Sequence, residues 1–258
     1  MIERDRLSRR RFFTRALGGA ATLALAGCQK LSQSEWFPKV LAVGERLSAA
    51  AGTLVAGRNA MAQEFTEADL SPSFRSNGTA QPQSAEYDTL LAGGFAGYRL
   101  VVDGLVAAPA RYSLAELRAL ESRTQITRHD CVEGWSAIGK WKGVKLSTLL
   151  EAARPAPSAR FVVFHCADPM ADDGKDLYYE SIDMDDAWHP QTILAYDLND
   201  KALPVGNGAP LRLRVERQLG YKHAKYVMRI ELVESYAKIR GGNGGYWEDQ
   251  GYQWYAGI

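Results

Sequence analysis

The sequence predicts an α+β domain that is rich in strands, with mixed or antiparallel sheets and short helices. Short apolar or alternating runs typical of strands recur from Tyr98 onward. The helical patterns between them are brief, and the clearest opens at Ser113 and Glu116, which together form the signature of a capping box. Strands interspersed with short helices are typical of the α+β class.

The composition is that of a globular protein. The chain has 258 residues, 24% charged and 46% hydrophobic, which excludes a disordered tail or a fibrous repeat and allows one large domain or two small ones. With a formal net charge of +1, the chain as a whole gives no electrostatic reason to bind nucleic acid.

Residues 1–27 are predicted to be an export signal rather than part of the fold. Ser8-Arg9-Arg10-Arg11-Phe12 precedes an apolar run from Ala16 to Gly27, which is shorter than the roughly 20 residues of a membrane-spanning helix. The Ser-Arg-Arg-x-Phe pattern resembles a twin-arginine signal, whose route carries folded proteins, often around a cofactor. An ordinary secretory signal is the alternative.

The end of this signal, Leu25-Ala26-Gly27-Cys28, resembles a bacterial lipobox. We therefore expect a periplasmic protein, with Cys28 as a candidate lipid anchor that tethers it to the membrane. Cys131 and Cys166 then remain. In an oxidising compartment, a disulfide between them is the simplest alternative to a metal site.

Residues 28–97 are predicted to form a leader or linker, and residues 98–258 the domain. An amphipathic helix is expected in the leader from roughly Pro38 to Ala60. At the start of the domain, Tyr98–Val106 predicts two short strands joined at an Asp-Gly turn.

Five later segments carry further strand or helix patterns. Helices are expected after Ser113 and over Leu146–Ala153, and Phe161–Phe164 is an apolar run typical of a buried strand. Leu211–Val215 and Lys225–Val233 alternate in the way that strands do.

Two segments stand out by composition. The acidic stretch Asp168–Asp186 predicts a solvated loop, with a docking surface for a basic partner or a calcium loop as alternatives. The aromatic tail Gly241–Ile258 is expected to pin the C-terminus onto the domain rather than to touch substrate.

The motif with the most chemistry is Arg128-His129-Asp130-Cys131-Val132-Glu133-Gly134-Trp135-Ser136. Cys131 stands among cationic and imidazole groups, which lower the pKa of a thiol and favour the thiolate that binds a metal. Together with Asn207–Arg212 and Gly220–Lys225, this motif resembles the sulfite oxidase fold of molybdopterin oxidoreductases. Within that group it is most similar to the catalytic subunits of periplasmic protein-methionine-sulfoxide reductases. The resemblance runs from about Tyr98 to the C-terminus.

This resemblance implies that Cys131 ligates molybdenum, beside the two dithiolene sulfurs of molybdopterin. A soft thiolate suits that metal chemistry. The other implied contacts to the cofactor are Asn77, Cys166, Asn207, Arg212, His223, Ala224 and Lys225. Among them, Arg212, His223 and Lys225 are expected to converge on one electropositive site, where His223 and Lys225 hold the terminal phosphate.

Arg128 is the candidate for polarising the substrate oxygen, because it lies three residues before the predicted ligand. A contact to the cofactor phosphate or a structural ion pair is the alternative role for this arginine. The chain also departs from the related enzymes, which tend to read Val-Pro-Trp where it has Val215-Glu216-Arg217. We therefore expect the substrate side to differ from theirs.

The implied chemistry is two-electron oxygen-atom transfer, most consistent with reduction of small-molecule or protein-bound S-oxides such as methionine sulfoxide. The sequence contains no C-x-x-C-H haem motif. The resemblance therefore implies a membrane-bound redox partner, haem- or quinone-linked, that supplies the electrons. A sulfite dehydrogenase-like enzyme and a cofactor-free, disulfide-bonded lipoprotein are the two alternatives.

Overall fold

The computed structural model of this chain describes residues 60–171 and 176–258, together with residues 34, 36, 37, 40, 43 and 44. The chain divides into two compact units, Met1–Gly57 and Arg58–Ile258. The predicted export signal, the lipid site at Cys28 and most of the helix expected from Pro38 to Ala60 lie outside the described residues. The division into a leader (28–97) and a domain (98–258) stays a prediction.

Strands dominate the described part of the chain, and the helices are short. The strands are β1 (Leu100–Gly104), β2 (Ala110–Tyr112), β3 (Ser122–Cys131), β4 (Trp135–Lys145), β5 (Phe161–Pro169), β6 (Leu177–Asp183), β7 (Ile193–Leu198), β8 (Lys201–Ala202), β9 (Arg212–Arg214) and β10 (Val227–Val233). The helices are α1 (Ala85–Ala92), α2 (Leu114–Ala119), α3 (Leu146–Ala153), α4 (Met184–Trp188) and α5 (Tyr246–Asp249). The predicted α+β class is confirmed.

The described strands form two sheets, one mixed and one antiparallel. The first has the order β2-β1-β10-β5-β6, with β1 parallel to β10 and the other pairs antiparallel. The second has the order β3-β4-β7-β8, with β9 added beside β7, and all of its pairs are antiparallel. Side chains of both sheets, such as Phe164 of the first and Leu194 of the second, meet in one buried apolar cluster.

The predicted helices begin where the sequence places them. Ser113 and Glu116 form the expected capping box, in which the Ser113 backbone N–H donates to Glu116 Oε2 at 2.7 Å. α3 spans Leu146–Ala153 as predicted, and it packs Leu146, Leu149 and Leu150 into the core.

The Asp-Gly turn predicted at Asp103-Gly104 is wrong. Both residues belong to β1, whose antiparallel partner is β2 further along the chain. Gly104 has φ +86°, and a Cβ at this position would collide with the Leu232 backbone. The glycine therefore serves the close approach of two parallel strands rather than a turn.

The solvated loop predicted for the acidic stretch is also wrong where the structure describes it. β5 and β6 run through this stretch, and Asp168, Glu180 and Asp186 are all buried. Glu180 accepts a hydrogen bond from buried Lys222, and Asp186 accepts one from Gln218. The partners Lys222 and Gln218 lie outside the acidic stretch, so its composition could not show these buried pairs.

The segment before β1 lies along the second sheet and reaches the site. The Phe65 backbone N–H donates to the Ile126 carbonyl at 2.8 Å, and the Phe74 ring packs edge-on against Trp141 with centroids 4.9 Å apart. In α1, the Tyr87 hydroxyl donates to the Ala209 carbonyl. Residues 77–79 are thereby held between two anchored stretches. No helix among the described residues is long and apolar enough to cross a membrane.

Candidate active site

Cys131 ends β3 and lies in the wall of a cleft. β3 pairs with β4 along its length, and the last pair is Cys131 with Trp135. Because alternate side chains share a face, His129 and Cys131 are both buried on the same side of the strand. Gly134, with φ +84°, closes the turn by donating its N–H to the Cys131 carbonyl at 3.0 Å. The turn fixes Cys131 at the end of a rigid hairpin.

The space beside Cys131 is an open cleft of about 710 Å³, a volume that includes the solvent at its mouth. Its wall draws on five separate parts of the chain. The lining residues are Asn77, Gly78, Thr79, Cys131, Val132, Glu133, Asp168, Met170, Tyr178, Gly220, Tyr221, His223, Lys225, Trp247 and Tyr252.

Both remaining cysteines are free. Cys131 faces the cleft, whereas Cys166 is 2% exposed and packs in the apolar core. The disulfide alternative is therefore wrong.

The expected lowering of the Cys131 pKa is wrong for the protein alone. Burial raises the pKa of this thiol above its usual value, whereas the hydrogen bond with the Glu133 backbone lowers it and the Glu133 carboxylate raises it. Arg212 and Arg75 lower it, but they do not outweigh the loss of hydration.

Arg212 lies fully buried in β9. One of its guanidinium nitrogens, Nη1, donates to the Asn207 carbonyl at 3.1 Å, while Nε and Nη2 have no partner. Burial and the neighbouring Arg214 lower the pKa of Arg212 to about 9. The Asn207 side-chain Nδ2 is likewise buried without a partner. These unpartnered donors are suited to an anion or a polar ligand.

Lys225 ties two segments of the cleft together. Its Nζ donates to the carbonyls of Asn77 at 2.6 Å, Thr79 at 2.5 Å and Gly206 at 3.0 Å. An ammonium group has three N–H donors, so all of them are used. Burial, followed by repulsion from Arg212, lowers the pKa of Lys225 to about 7.

Two histidines meet behind the Cys131 hairpin. The rings of His129 and His223 lie 5.0 Å apart and nearly perpendicular. Arg214 donates to His129 Nδ1 at 2.9 Å and is itself held by two bonds to Glu216. His223 Nε2 pairs with the Gln218 carbonyl at 3.0 Å, which leaves Nδ1 buried without a partner.

These two rings are neutral in the protein alone. Burial, together with Arg212 and Arg214, holds the pKa of both His129 and His223 well below the usual value. A neutral His223 that donates from Nε2 can accept a hydrogen bond at Nδ1, and it donates there once an anion favours its protonation.

The comparisons with known proteins place this site in a family. The model of the oxidoreductase molybdopterin-binding domain matches residues 91–239 of the chain. The chain belongs to this family. It is therefore an oxidoreductase, and its cofactor is molybdenum–molybdopterin.

Three bacterial relatives are similar to this molybdopterin-domain protein. A putative protein-methionine-sulfoxide reductase subunit YedZ1 of Azospira oryzae is 37% identical over 252 residues, which cover 97% of this chain and 88% of the relative. The catalytic subunits MsrP of Ralstonia nicotianae and Xanthomonas axonopodis are 34% and 40% identical, over 66% and 52% of this chain and 53% and 44% of theirs. The chain thus spans about half the length of these two catalytic subunits.

A solved structure has a similar fold. The sulfane dehydrogenase SoxCD of Paracoccus pantotrophus aligns with a TM-score of 0.50 and 23% identity, over 57% of this chain and 40% of that one. The predicted sulfite oxidase-like fold is confirmed.

The residues in and around the cleft fit the cofactor of this family. Asn77 Oδ1, Asn207 Nδ2, two Arg212 nitrogens and His223 Nδ1 are buried polar atoms without partners. Such atoms are costly unless a ligand pairs with them. A polar pterin with a phosphate supplies both donors and acceptors. Lys225 departs from the predicted phosphate contact, because its three donors hold backbone carbonyls instead.

Five of the predicted site residues do not line the cleft: Asn207 and Arg212, which are buried, and Arg128, Cys166 and Ala224. Arg128 is more than half exposed on the opposite face of β3 and pairs with Asp130 at 2.9 Å, which is the structural ion pair weighed as its alternative role. Cys166 and Ala224 are buried in the apolar core. The Ala224 carbonyl accepts from the Leu213 N–H, so this residue positions its neighbours His223 and Lys225 through the backbone.

Two segments contain cleft residues that sequence reasoning missed. These segments were interpreted as a solvated loop and a pinned tail, and their lining residues are Asp168, Met170, Tyr178, Trp247 and Tyr252. The glycines around Tyr246–Trp247 are the one signal that could have indicated close packing of the tail against a site.

Asp168 is the most perturbed acid of the cleft wall. Burial raises its pKa to about 7, although Lys225 and Thr79 act to lower it. Its Oδ1 has no hydrogen-bond partner. A buried carboxyl group that is half protonated near neutral pH is typical of functional sites.

Proposed function

We propose that this chain is the catalytic subunit of an exported molybdenum enzyme that reduces neutral S-oxides such as methionine sulfoxide. The names of the three relatives support this substrate class. In the net reaction, the S-oxide takes up two electrons and two protons and yields a thioether and water.

The polarity and charge of the residues that line the cleft beside Cys131 are the observation on which the proposed substrate rests. Apolar and aromatic side chains are the largest group in the described lining, seven of its fifteen residues. Glu133 and Asp168 are carboxyl groups, and Lys225 already gives its donors to carbonyls. An anion such as sulfite is bound by free charged donors, so this wall favours a neutral S-oxide.

Each group of residues has a distinct task in this proposal. The Cys131 thiolate binds the metal, while Asn77, Asn207, Arg212 and His223 hold the pterin and its phosphate. When bound, molybdenum–molybdopterin supplies the two-electron oxygen-atom transfer. The chain itself orients the substrate and keeps bulk water away from the reacting atoms.

Electrons come from a membrane-bound redox partner, haem- or quinone-linked, in the periplasm. The predicted export signal in residues 1–27 supports the location, and the names of the relatives, which are those of reductase subunits, support a separate partner. A lipid on Cys28 would keep the enzyme at the membrane surface near that partner.

The proposal is tested with protein purified from a host that makes molybdopterin. With dithionite-reduced viologen as electron donor, we expect methionine sulfoxide to reoxidise the dye. Sulfite oxidation without any S-oxide turnover would reverse the order of the two enzyme hypotheses.

A further inference from the structure

The C-terminal segment forms part of the wall of the cleft. Trp247 lies in α5, and its ring centre is 5.3 Å from that of Tyr252 at an interplanar angle of 31°. Tyr252 in turn meets Tyr221 edge-on at 5.3 Å. Both Trp247 and Tyr252 line the cleft, so these aromatic faces lie within the same space as the Cys131 side chain.

This aromatic wall matches one kind of group. Aromatic rings bind methyl groups and polarisable sulfur through dispersion and sulfur–ring contacts, without needing a charge on the ligand. Met170, a further soft side chain, lies in the same wall.

A buried lysine holds this wall against the loop that leads to His223. Lys222 Nζ donates to Glu180 Oε1 at 2.5 Å and to Glu248 Oε1 at 2.6 Å, and all three side chains are 0–1% exposed. Glu180 lies in β6, Lys222 in the loop and Glu248 in α5 directly after Trp247. The Trp254 ring covers the ammonium group at 5.2 Å. Because Glu248 is bound to Lys222 and follows Trp247 in α5, the length of the Glu248 side chain determines the position of Trp247 in the cleft wall.

We propose that Trp247 and Tyr252 form the subsite for the methyl-sulfur end of the S-oxide, and that Glu248, through Lys222 and Glu180, is the positioning residue of this subsite. The proposal rests on the proposed function. It adds the part of the substrate that is recognised and the residues that recognise it.

Binding of methionine sulfoxide to the oxidised holoenzyme, measured by calorimetry, tests the subsite apart from turnover. Tyr252→Ala and Trp247→Leu should each raise the dissociation constant about tenfold, with the molybdenum content unchanged. Tyr255→Ala is the matched control, because Tyr255 belongs to the same tail, is 41% exposed and does not line the cleft. Wild-type affinity in both cleft variants would overturn the subsite.

Turnover measured on the same samples separates the two proposals. A wild type that binds the sulfoxide without reducing it, and loses that binding in the variants, overturns the proposed function and supports the subsite. A wild type that neither binds nor reduces it overturns both.

The positioning role is tested by changing the length or the charge of Glu248 separately. Glu248→Asp keeps the charge but draws Trp247 toward Lys222, so the dissociation constant and KM should rise several-fold while kcat changes little. Glu248→Gln keeps the length and should bind within twofold of wild type. Wild-type binding in Glu248→Asp would overturn this role.

Discussion

Lys225 shows how a single side chain links distant parts of the chain into one site. Its ammonium group holds the carbonyls of Asn77, Thr79 and Gly206. A hydrogen bond from a charged group contributes about 1.5–3 kcal/mol, so the loss of three should free the segment around Asn77 from the cleft.

Lys225→Ala should therefore lower the molybdenum content of the purified protein, measured by mass spectrometry of the metal, without changing substrate preference. Lys201→Ala is the control, since Lys201 is an exposed residue of β8. Full molybdenum content in Lys225→Ala would show that the three hydrogen bonds of Lys225 are not needed to bind the cofactor.

Asp168 should make stability depend on pH. Burial raises its pKa from 3.8 to about 7, so the folded protein binds a proton that the unfolded chain has lost in this range. The stabilisation that results is present below about pH 4 and is lost as the pH rises through 7, by up to about 4 kcal/mol.

Urea unfolding of wild type and Asp168→Asn between pH 4.5 and 7.5 measures this effect. The wild type should lose stability relative to the variant as the pH rises. Glu151→Gln, at an exposed position of α3, should follow the wild type. Parallel curves for wild type and Asp168→Asn would contradict the raised pKa.

Among the elements, β9 carries two fully buried arginines, Arg212 and Arg214. The Arg214–Glu216 pair is 0% exposed, and Arg214 also holds His129 behind the Cys131 hairpin. Removing one partner of a buried pair leaves the other charge without compensation, at a cost of about 3–5 kcal/mol.

Glu216→Ala should accordingly lower the free energy of unfolding by that amount in a denaturant titration. Arg118→Ala, which breaks the surface pair with Asp197 at 2.7 Å, should cost about 1 kcal/mol or less. Equal losses in the two variants would mean that the buried pair contributes no more than a surface one.

Elements whose signals are local could be predicted from the sequence, and elements that depend on distant partners could not. The capping box at Ser113 and the helix Leu146–Ala153 are encoded by neighbouring residues. Glu180 was interpreted as a solvated acid because its partner Lys222 is 42 residues away. A charged side chain can be buried only when a partner compensates its charge, and a partner distant in the sequence leaves no sign in the local pattern.

At the scale of the whole molecule, the site residues were found through motif resemblance rather than through periodicity. The resemblance named Cys131, Asn77, His223 and Lys225, and these four residues line one cleft. It did not show that Arg128 lies on the opposite face of β3, because a spacing of three residues reverses the direction of a side chain in a strand. Nor did it show the aromatic wall, which only the folded C-terminus builds.

Export is a prediction at the same scale. Replacing both Arg9 and Arg10 by lysine should leave the protein in the cytoplasm, because the twin-arginine route reads that pair. Fractionation followed by immunoblotting measures this. Undiminished periplasmic protein in the double variant would favour the general secretory route.

The central claim is that the Cys131 sulfur binds molybdenum in an S-oxide reductase. X-ray absorption at the molybdenum edge counts the sulfur atoms bound to the metal. We predict three sulfurs in the wild type, two from molybdopterin and one from Cys131, and two in Cys131→Ala, with S-oxide reduction abolished. Three sulfurs in that variant, or full activity, would contradict the claim.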